Sequence, residues 1–335
     1  MIDLHLHLDG SLAIEDFIFL AKRQHFDLGK DFPSNVYVNK DCRSLEEYLE
    51  RFDLPLRLLQ DAYSIKYVTK SLVNRLAKAG YIYSEIRFAP QLHTNKGLSQ
   101  EEAVKAAISG LKAGLKENKR FDANLILCCM RQADYETNLP AILLADKYKD
   151  QKVVAVDLAG PEAFKPGPTY IPLFDEADKR GVNVIIHAGE ACGSEEVMNA
   201  IINLHAKRIG HGVHLSLSEE NVSLIKKKNI FFEFCPTSNL QTTSLADYES
   251  VPLKEFMKAG IKVTINSDNM TVSNTNVKEE YQHLVKHLHL SKDDIYQLLK
   301  NSIEATFTSN KEKQALKRKL AYHFNQFLLE IGFEE

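Results

Sequence analysis

Short apolar, β-branched runs alternate along the chain with longer segments whose apolar residues recur every three or four positions. The short runs have the length of strands, and the longer segments have the period of amphipathic helices. We predict eight strands, at residues 2–7, 81–89, 123–130, 152–158, 182–187, 208–213, 230–235 and 261–267. Strands that alternate with helices pair in parallel through right-handed crossovers. The pattern therefore predicts an α/β fold, with a closed (β/α)8 TIM barrel favoured over a doubly wound open sheet.

Two regions are longer than this repeat requires. Residues 8–80 separate the first two predicted strands, which is far more than a simple crossover needs. We expect extra helices there, forming a helical lid insertion at about 13–79 over one mouth of the barrel. Segments 277–290, 293–307 and 311–331 predict further helices at the C-terminus. Because no Pro/Gly/Ser-rich linker divides the chain, we expect residues 1–335 to form one domain.

Composition narrows the classes of partner and compartment. The 335 residues are 44% hydrophobic and 26% charged, with a formal net charge of −3 and no basic stripe. This balance disfavours a nucleic acid or an acidic membrane surface as partner. The odd count of five cysteines, without a CxxC pair, indicates reduced thiols. No apolar run approaches the roughly 20 residues of a membrane span, so we predict a cytoplasmic protein.

Unusual polar residues stand at the ends of four predicted strands, where the chemistry of a barrel is found. The first strand ends in His5-Leu-His7-Leu-Asp9-Gly10, and alternation puts His5 and His7 on one face. The fifth, sixth and eighth strands end with His187, His211 and Asp268. Each residue alone has an ordinary explanation, such as a hydrogen-bonded core histidine or a helix N-cap aspartate. Their joint occurrence favours a functional site.

Three of these imidazoles and the carboxylate form a set of three nitrogen ligands and one oxygen ligand. This set suits zinc with one position open for water, although iron(II), cobalt and manganese also fit. Zinc lowers the pKa of a bound water molecule enough to give a hydroxide nucleophile near neutral pH. The sequence therefore predicts one metal site, with the ligands His5, His7, His187 and Asp268.

Six motifs, in order, resemble those of the adenosine deaminase branch of the amidohydrolase superfamily. They are His5-Leu-His-Leu-Asp-Gly10, Asp157-Leu-Ala-Gly160, His187-Ala-Gly-Glu190, Arg208-Ile-Gly-His-Gly212, Cys235-Pro-Thr-Ser-Asn239 and Asn266-Ser-Asp268. The resemblance covers most of the chain and implies a TIM barrel of the metal-dependent hydrolase type. It implies hydrolytic deamination of adenosine and 2′-deoxyadenosine to inosine, 2′-deoxyinosine and ammonia, in purine salvage. One Zn²⁺ per chain and a small-molecule nucleoside substrate are expected.

The resemblance also implies roles for single residues. His5, His7, His187 and Asp268 are expected to ligate the metal. Glu190 is expected to protonate the purine N1 while hydroxide attacks C6, which requires a protonated carboxyl group. His211 is expected to orient the hydroxide and stabilise charge in the transition state. The simpler interpretation of Glu190, an acid in the first turn of a helix, is compatible with this role.

Further residues are expected to contact the nucleoside. Gly160 supplies backbone to the N3 edge of the purine, and Asp9, with His7 close by, accepts a hydrogen bond from the ribose 5′-hydroxyl. A carboxylate at Asp9 also repels a 5′-phosphate. Asn269 stands where many members have an aspartate, and its amide can donate to the purine N7 without an added proton. The alternative, purely structural interpretations are a turn at Asp9-Gly10 and a loop at Gly160-Pro161.

Segment 44–52 resembles the lid helix of the family, with Leu49 and Phe52 as candidate contacts, although a helix simply packed on the barrel fits nearly as well. Residues 235–239 are interpreted as structural. The end of the fourth strand, at Asp157, lacks the lysine that bridges two metals in binuclear relatives, which favours one metal. A deaminase of free adenine or of a modified adenosine is the nearest alternative. A non-catalytic nucleoside-binding protein is disfavoured because all the expected site residues are present. The oligomeric state stays open.

Overall fold

The computed structural model describes residues 1–38 and 42–333, and an eight-stranded parallel sheet forms its centre. Neighbouring strands are paired in chain order from first to last. The strands are β1 Ile2–His7, β2 Tyr83–Phe88, β3 Asp122–Met130, β4 Val153–Ala159, β5 Asn183–Ala188, β6 Arg208–His211, β7 Phe231–Phe234 and β8 Lys262–Ile265. All eight predicted strands are therefore present, with ends that differ by a few residues.

The chain after β8 returns to β1 and closes the sheet. The His7 amide donates to the Asp268 carbonyl at 2.8 Å, and the Asp268 amide donates to the His5 carbonyl at 2.8 Å. Leu6 and Asp268 form a parallel bridge. An open doubly wound sheet would leave both edge strands unpaired, so the (β/α)8 barrel prediction is confirmed.

Strands β6 and β8 both stop two residues earlier than predicted. β6 ends at His211 instead of residue 213, and β8 ends at Ile265 instead of residue 267. His211 has a φ of 63°. A left-handed backbone cannot continue a strand, so the chain leaves the sheet after His211. Asp268, which follows β8, also has a left-handed backbone, with a φ of 58°, and the surrounding structure must hold both residues in place.

The helices surround the barrel, and extra helices lie between β1 and β2 and at the C-terminus, as predicted. They are α1 Ile14–Gln24, α2 Leu45–Leu49, α3 Asp53–Leu58, α4 Ala62–Lys78, α5 Gln100–Glu117, α6 Tyr135–Lys147, α7 Ile171–Lys179, α8 Ser194–Asn203, α9 Glu219–Lys228, α10 Pro236–Gln241, α11 Leu253–Lys258, α12 Val277–Leu288, α13 Lys292–Ala305 and α14 Asn310–Glu330. The last three confirm the C-terminal helices that the sequence predicts. Among the described residues, no helix is both long and apolar enough to span a membrane.

Four helices, α1 to α4, occupy the long connection between β1 and β2. The predicted insertion at 13–79 includes residues 39–41, which lie outside the described residues, as do residues 334–335 of the predicted domain. The Ser44 hydroxyl accepts a hydrogen bond from the Glu47 amide and so caps α2. A single 3-10 turn, Glu50–Phe52, follows α2. We call residues 45–52 the lid segment, because they line the cavity described below.

Strand β2 has charged side chains inside the barrel and apolar side chains outside it. Along β2, Tyr83, Glu85 and Arg87 alternate with Ser84, Ile86 and Phe88, and all six side chains are buried. Ile86 and Phe88 belong to the main hydrophobic core between the strands and the surrounding helices. Glu85 and Arg87 instead form ion pairs across the barrel. These ion pairs support the residues at the C-terminal mouth.

Candidate active site

Side chains from three places in the fold converge at the C-terminal mouth of the barrel. His5 and His7 come from β1, His187 from β5, and Asp268 from the turn after β8. The His7 Nε2 lies 3.4 Å from the His187 Nε2 and 3.4 Å from the Asp268 Oδ1. The His5 Nε2 also lies 3.4 Å from the Asp268 Oδ1. His5, His7 and His187 thus form one group of possible metal ligands whose ligand atoms lie within 4.8 Å of one another, and His5, Asp268 and His211 form a second.

Hydrogen bonds on the far side of two rings leave their Nε2 atoms free for a metal. The His5 Nδ1 donates to Glu233 at 2.9 Å, and the His187 Nδ1 donates to Asp157 at 3.1 Å. The His5 Nε2 is buried and has no hydrogen-bond partner among the described residues. A buried ring nitrogen without a partner is costly, and a metal ion would satisfy it. The residues present therefore fit a divalent cation.

The charge states at this cluster suit metal binding. Burial lowers the pKa of His5 and, more strongly, that of His7, so both rings are neutral and keep a lone pair. Burial alone would raise the pKa of Asp268, but His5 and the other nearby histidines hold it well below its ordinary value. The Ser238 hydroxyl also donates to the Asp268 Oδ2 at 2.6 Å. Burial alone would lower the pKa of His187, but the adjacent Asp157 raises it above its ordinary value. The cluster thus combines two neutral imidazoles, His5 and His7, with one ionised carboxylate.

A network of buried ion pairs lies beneath the histidines; we call it the charged floor. Arg87 donates to Asp157 at 2.7 Å and to Glu233 at 2.9 Å, the two carboxylates that hold His187 and His5. Arg208 lies 2.6 Å from Glu233 and 2.6 Å from Glu85. Burial alone would raise the pKa of Glu233, but the two arginines hold it well below its ordinary value. The charged floor comprises Glu85, Arg87, Asp157, Arg208 and Glu233.

Sequence reasoning assigned no role to the charged floor, although the sequence carries a signal for it. Glu233 interrupts the apolar run Phe231-Phe-Glu-Phe234, and Arg87 lies inside a strand that is otherwise suited to burial. Charges in such positions need partners. Which partners they find depends on the closure of the barrel, since Arg87 and Glu233 lie on β2 and β7.

Glu190 and His211, the two predicted catalytic residues, lie side by side next to the histidine cluster. The His211 Nε2 is 3.6 Å from the Glu190 Oε2, and both side chains are buried. Burial raises the pKa of Glu190 above its ordinary value, which favours the protonated carboxyl group. The Asn239 amide donates to the His211 Nδ1 at 3.1 Å, so the proton of a neutral His211 ring belongs on Nε2. Asn239, interpreted as structural from sequence, therefore sets the His211 tautomer.

Glu162 holds the backbone on which Glu190 stands. Its carboxylate accepts hydrogen bonds from four successive backbone amides, Gly189 to Cys192, at 2.6 to 3.0 Å. The side chain is buried. Four amide donors directed at one carboxylate fix the position of Glu162 and the backbone path of residues 189–192. Sequence reasoning missed Glu162, because only the fold brings residue 162 next to residues 189–192.

Asp9 and Gly160, both predicted to contact substrate, line one cavity together with the metal cluster. Burial raises the pKa of Asp9 to about 6, and its Oδ1 has no hydrogen-bond partner among the described residues. Gly160 has a φ of 98°, and a Cβ at this position would lie 2.5 Å from the Gln132 Oε1. A side chain at position 160 would be strained and would crowd the cavity.

The cavity itself has a volume of about 420 Å³, which lies in the range of small-molecule sites. Its polar lining comprises residues predicted for the site and three others. The predicted ones are His7, Asp9, His187, Glu190, His211, Asp268 and Asn269, and the others are Glu46, Tyr48 and Gln132. Its apolar wall includes Leu49 and Phe52 of the lid segment. The structure therefore brings every predicted site residue to one place, except that His5 lies buried directly behind the wall.

Sequence comparisons show the family to which the chain belongs. The model of the adenosine deaminase family matches residues 1–323. The chain belongs to the adenosine deaminase family. An adenosine deaminase from Haemophilus ducreyi is 45% identical over 336 residues, covering 98% of this chain and 97% of the relative. One from Clostridium botulinum is 41% identical over 323 residues, covering 94% and 95%.

Solved structures of other deaminases are similar over nearly the whole chain. The N6-methyl-AMP deaminase from Arabidopsis thaliana is 26% identical, with a TM-score of 0.83 over 96% of each chain. An adenine deaminase from Arthrobacter aurescens is 24% identical, with a TM-score of 0.86 over 97% of this chain and 98% of that one. An amidohydrolase from Burkholderia ambifaria, with bound Zn, is 19% identical, with a TM-score of 0.87 over 99% and 92%. The last two likenesses concern the fold alone.

Proposed function

We propose that the protein hydrolyses adenosine and 2′-deoxyadenosine to inosine and 2′-deoxyinosine, releasing ammonia, with one Zn²⁺ per chain. Deamination of adenosine follows from the family and from full-length adenosine deaminase relatives at 41–45% identity. The observation that carries the proposal is the convergence of His5, His7, His187 and Asp268 beside Glu190, on the wall of a cavity of about 420 Å³. The 2′-deoxynucleoside and the identity of the metal go beyond the family assignment.

His5, His7, His187 and Asp268 are the residues that would hold the metal. Three imidazoles and a carboxylate suit zinc. When bound, a zinc ion supplies the Lewis acidity that lowers the pKa of water towards neutrality. The carboxylates of Glu233 and Asp157 orient two of the rings and increase their basicity as ligands.

Glu190 is the proposed acid for the purine N1. Addition of hydroxide to C6 breaks the C6=N1 π bond and would leave negative charge on N1, and a proton placed there removes that charge. The buried carboxyl group keeps its proton to a higher pH than an exposed one, which supports this role. Once the C6 centre is tetrahedral, Glu190 is also placed to help move a proton to the leaving amine.

His211 is proposed to stabilise charge through its Nε2 proton. The tautomer set by Asn239 presents an N–H donor on the side of the ring that faces Glu190. A donor held in advance at a developing oxyanion costs no reorganisation during the reaction. His211 would thus orient the attacking oxygen while Glu190 serves the ring nitrogen.

Asp9, His7, Gly160 and Asn269 are the proposed nucleoside contacts. Asp9 lines the cavity with an unpartnered oxygen, which suits a ribose 5′-hydroxyl and disfavours a 5′-phosphate. The bare backbone at Gly160 suits the N3 edge of a flat base, and the Asn269 amide suits the N7 acceptor. A deaminase of free adenine would gain nothing from Asp9, and the adenine deaminase likeness concerns the fold alone.

The proposal also covers the domain organisation, the number of metal ions and the cellular location. We propose one metal-dependent hydrolase domain over residues 1–335, in which the insertion at about 13–79 carries the lid segment. A single metal is favoured because β4 ends at Ala159 without the bridging lysine of a binuclear site. The cytoplasmic location stays a prediction from the sequence.

Ammonia release by the zinc-loaded protein tests the proposal directly. The substrates are adenosine, 2′-deoxyadenosine, adenine and AMP at equal concentrations, and a chelator-treated sample serves as control. We expect turnover of the two nucleosides, slow turnover of adenine and AMP, and loss of activity after chelation. Turnover of adenine faster than that of adenosine would replace the proposal with the free-base alternative.

A further inference from the structure

One side chain of the lid segment reaches the loop that carries Asn269. Tyr48 is 2% exposed, and its ring belongs to a small apolar cluster with Cys42, Leu45 and Val272. Its hydroxyl lies 2.7 Å from the Ser273 Oγ and accepts a hydrogen bond from the Asn269 Nδ2 at 2.8 Å. Both partners belong to the segment after β8. Tyr48 therefore links the lid segment to a residue that lines the cavity.

The direction of the hydrogen bond between Asn269 and Tyr48 is fixed by chemistry. The Asn269 Nδ2 can only donate, so the Tyr48 oxygen accepts. Burial raises the pKa of Tyr48 well above its ordinary value, so the hydroxyl stays neutral. In the second hydrogen bond, either the Tyr48 or the Ser273 hydroxyl can donate.

The other end of the Asn269 amide is held against a glycine. The Asn269 Oδ1 is buried and has no hydrogen-bond partner among the described residues. A Cβ at position 10 would lie 1.9 Å from this oxygen, so only Gly10 leaves space for it. The amide therefore directs its Oδ1 at Gly10 and its Nδ2 at Tyr48.

The Nδ2 of Asn269 carries two hydrogens, and Tyr48 accepts only one of them. We propose that Tyr48 is a specificity-determining positioning residue, whose hydroxyl orients the Asn269 amide so that its second N–H recognises a purine with a nitrogen acceptor at position 7. This inference rests on the nucleoside site of the proposed function. Because Tyr48 belongs to the lid segment, recognition of N7 requires that the lid segment be docked on the loop after β8.

Equilibrium binding of inosine and 7-deazainosine tests this inference without turnover. The two ligands differ in one ring atom, since 7-deazainosine has C–H where inosine has N7. We expect the zinc-loaded wild type to prefer inosine by about 10-fold, the value of one hydrogen bond in a buried site. In Tyr48→Phe we expect this preference to fall to about 2-fold, with 7-deazainosine binding nearly unchanged.

Controls separate recognition from a change in shape. Tyr63→Phe changes an exposed tyrosine of α4, 49% accessible, and should leave both dissociation constants unchanged. Equal losses of both ligands in Tyr48→Phe would overturn the inference, because a merely structural side chain affects both alike. An unchanged preference for inosine in Asn269→Ala would also overturn it. Ammonia release from adenosine by the wild type is measured separately, so that failure of the proposed function is recognised independently.

Discussion

The charged floor and the lid segment differ in how their side chains are held. In the charged floor, Arg87 and Arg208 bind buried carboxylates at 2.6 to 2.9 Å, with no measurable exposure of the carboxylates. The lid segment packs a few apolar side chains and reaches the loop after β8 through the Tyr48 hydroxyl. A buried charge without its partner is far more costly than a partly exposed apolar contact. The charged floor, which supports the reacting residues, should therefore tolerate substitution poorly. The lid segment, which shapes the substrate cavity, should tolerate it better.

Removing the central arginine of the charged floor should have the largest effect. Arg87→Met leaves Asp157 and Glu233 with one cationic partner fewer, and we expect the free energy of unfolding to fall by about 3–5 kcal/mol. Metal affinity should fall as well, because His5 and His187 lose their fixed orientation. Chemical denaturation and metal titration measure the two effects.

Arg57→Met is the matched control for that substitution. Arg57 lies on α3, next to the lid segment, and pairs with Asp53 at 3.6 Å with both side chains mostly exposed. An exposed pair contributes little, so the free energy of unfolding should change by less than about 1 kcal/mol. Similar losses from the two substitutions would remove the contrast between the regions.

The same contrast explains what the sequence could and could not predict. The predicted metal ligands lie at or near the ends of strands, and a hydrophobic pattern shows where strands end. These ligands are His5, His7, His187 and Asp268. Arg87 and Glu233 are visible only as misplaced charges, since the partner of each lies on another strand of the closed barrel. The hydrogen bond between Tyr48 and Asn269 joins positions 221 residues apart, and no local pattern contains it.

Glu162 belongs to neither region and holds the backbone of Glu190. In Glu162→Gln, an amide replaces an acceptor that four N–H groups share, and its NH₂ faces donors. We expect kcat with adenosine to fall by about 100-fold and the nucleoside dissociation constant to change little, because the acid moves and the cavity remains. Steady-state kinetics and binding of inosine measure this split. Glu195→Gln, on the exposed side of α8, should behave as the wild type, and a loss confined to KM would contradict the positioning role.

A substitution of Asp9 should have a smaller effect, and this effect should differ between nucleosides and free bases. Asp9→Ala removes the proposed partner of the ribose 5′-hydroxyl, and we expect kcat/KM for adenosine to fall by about 10-fold. Adenine has no ribose, so its turnover should be nearly unaffected. Asp9→Asn retains an acceptor oxygen and should recover part of the loss. Equal effects on adenosine and adenine would remove the sugar contact from the account.

The smallest effect is expected in the lid segment. Leu49→Ala shortens a half-buried side chain on the cavity wall, and we expect KM for adenosine to rise by about 3-fold. The free energy of unfolding should change by less than about 1 kcal/mol, because the site stays partly open to water. A fall in kcat as large as that of Glu162→Gln would show that the lid segment takes part in the chemistry.

The central claim is that His5, His7, His187 and Asp268 hold one metal ion for chemistry that depends on Glu190. Metal content and turnover, measured together on purified wild type, Asp268→Ala and Glu190→Gln, test it most directly. We predict one zinc ion per wild-type chain, and loss of both metal and activity in Asp268→Ala. In Glu190→Gln we predict full metal content with kcat lowered by about 10³-fold. Two ions per chain, or a Glu190→Gln variant with near-normal turnover, would contradict the account.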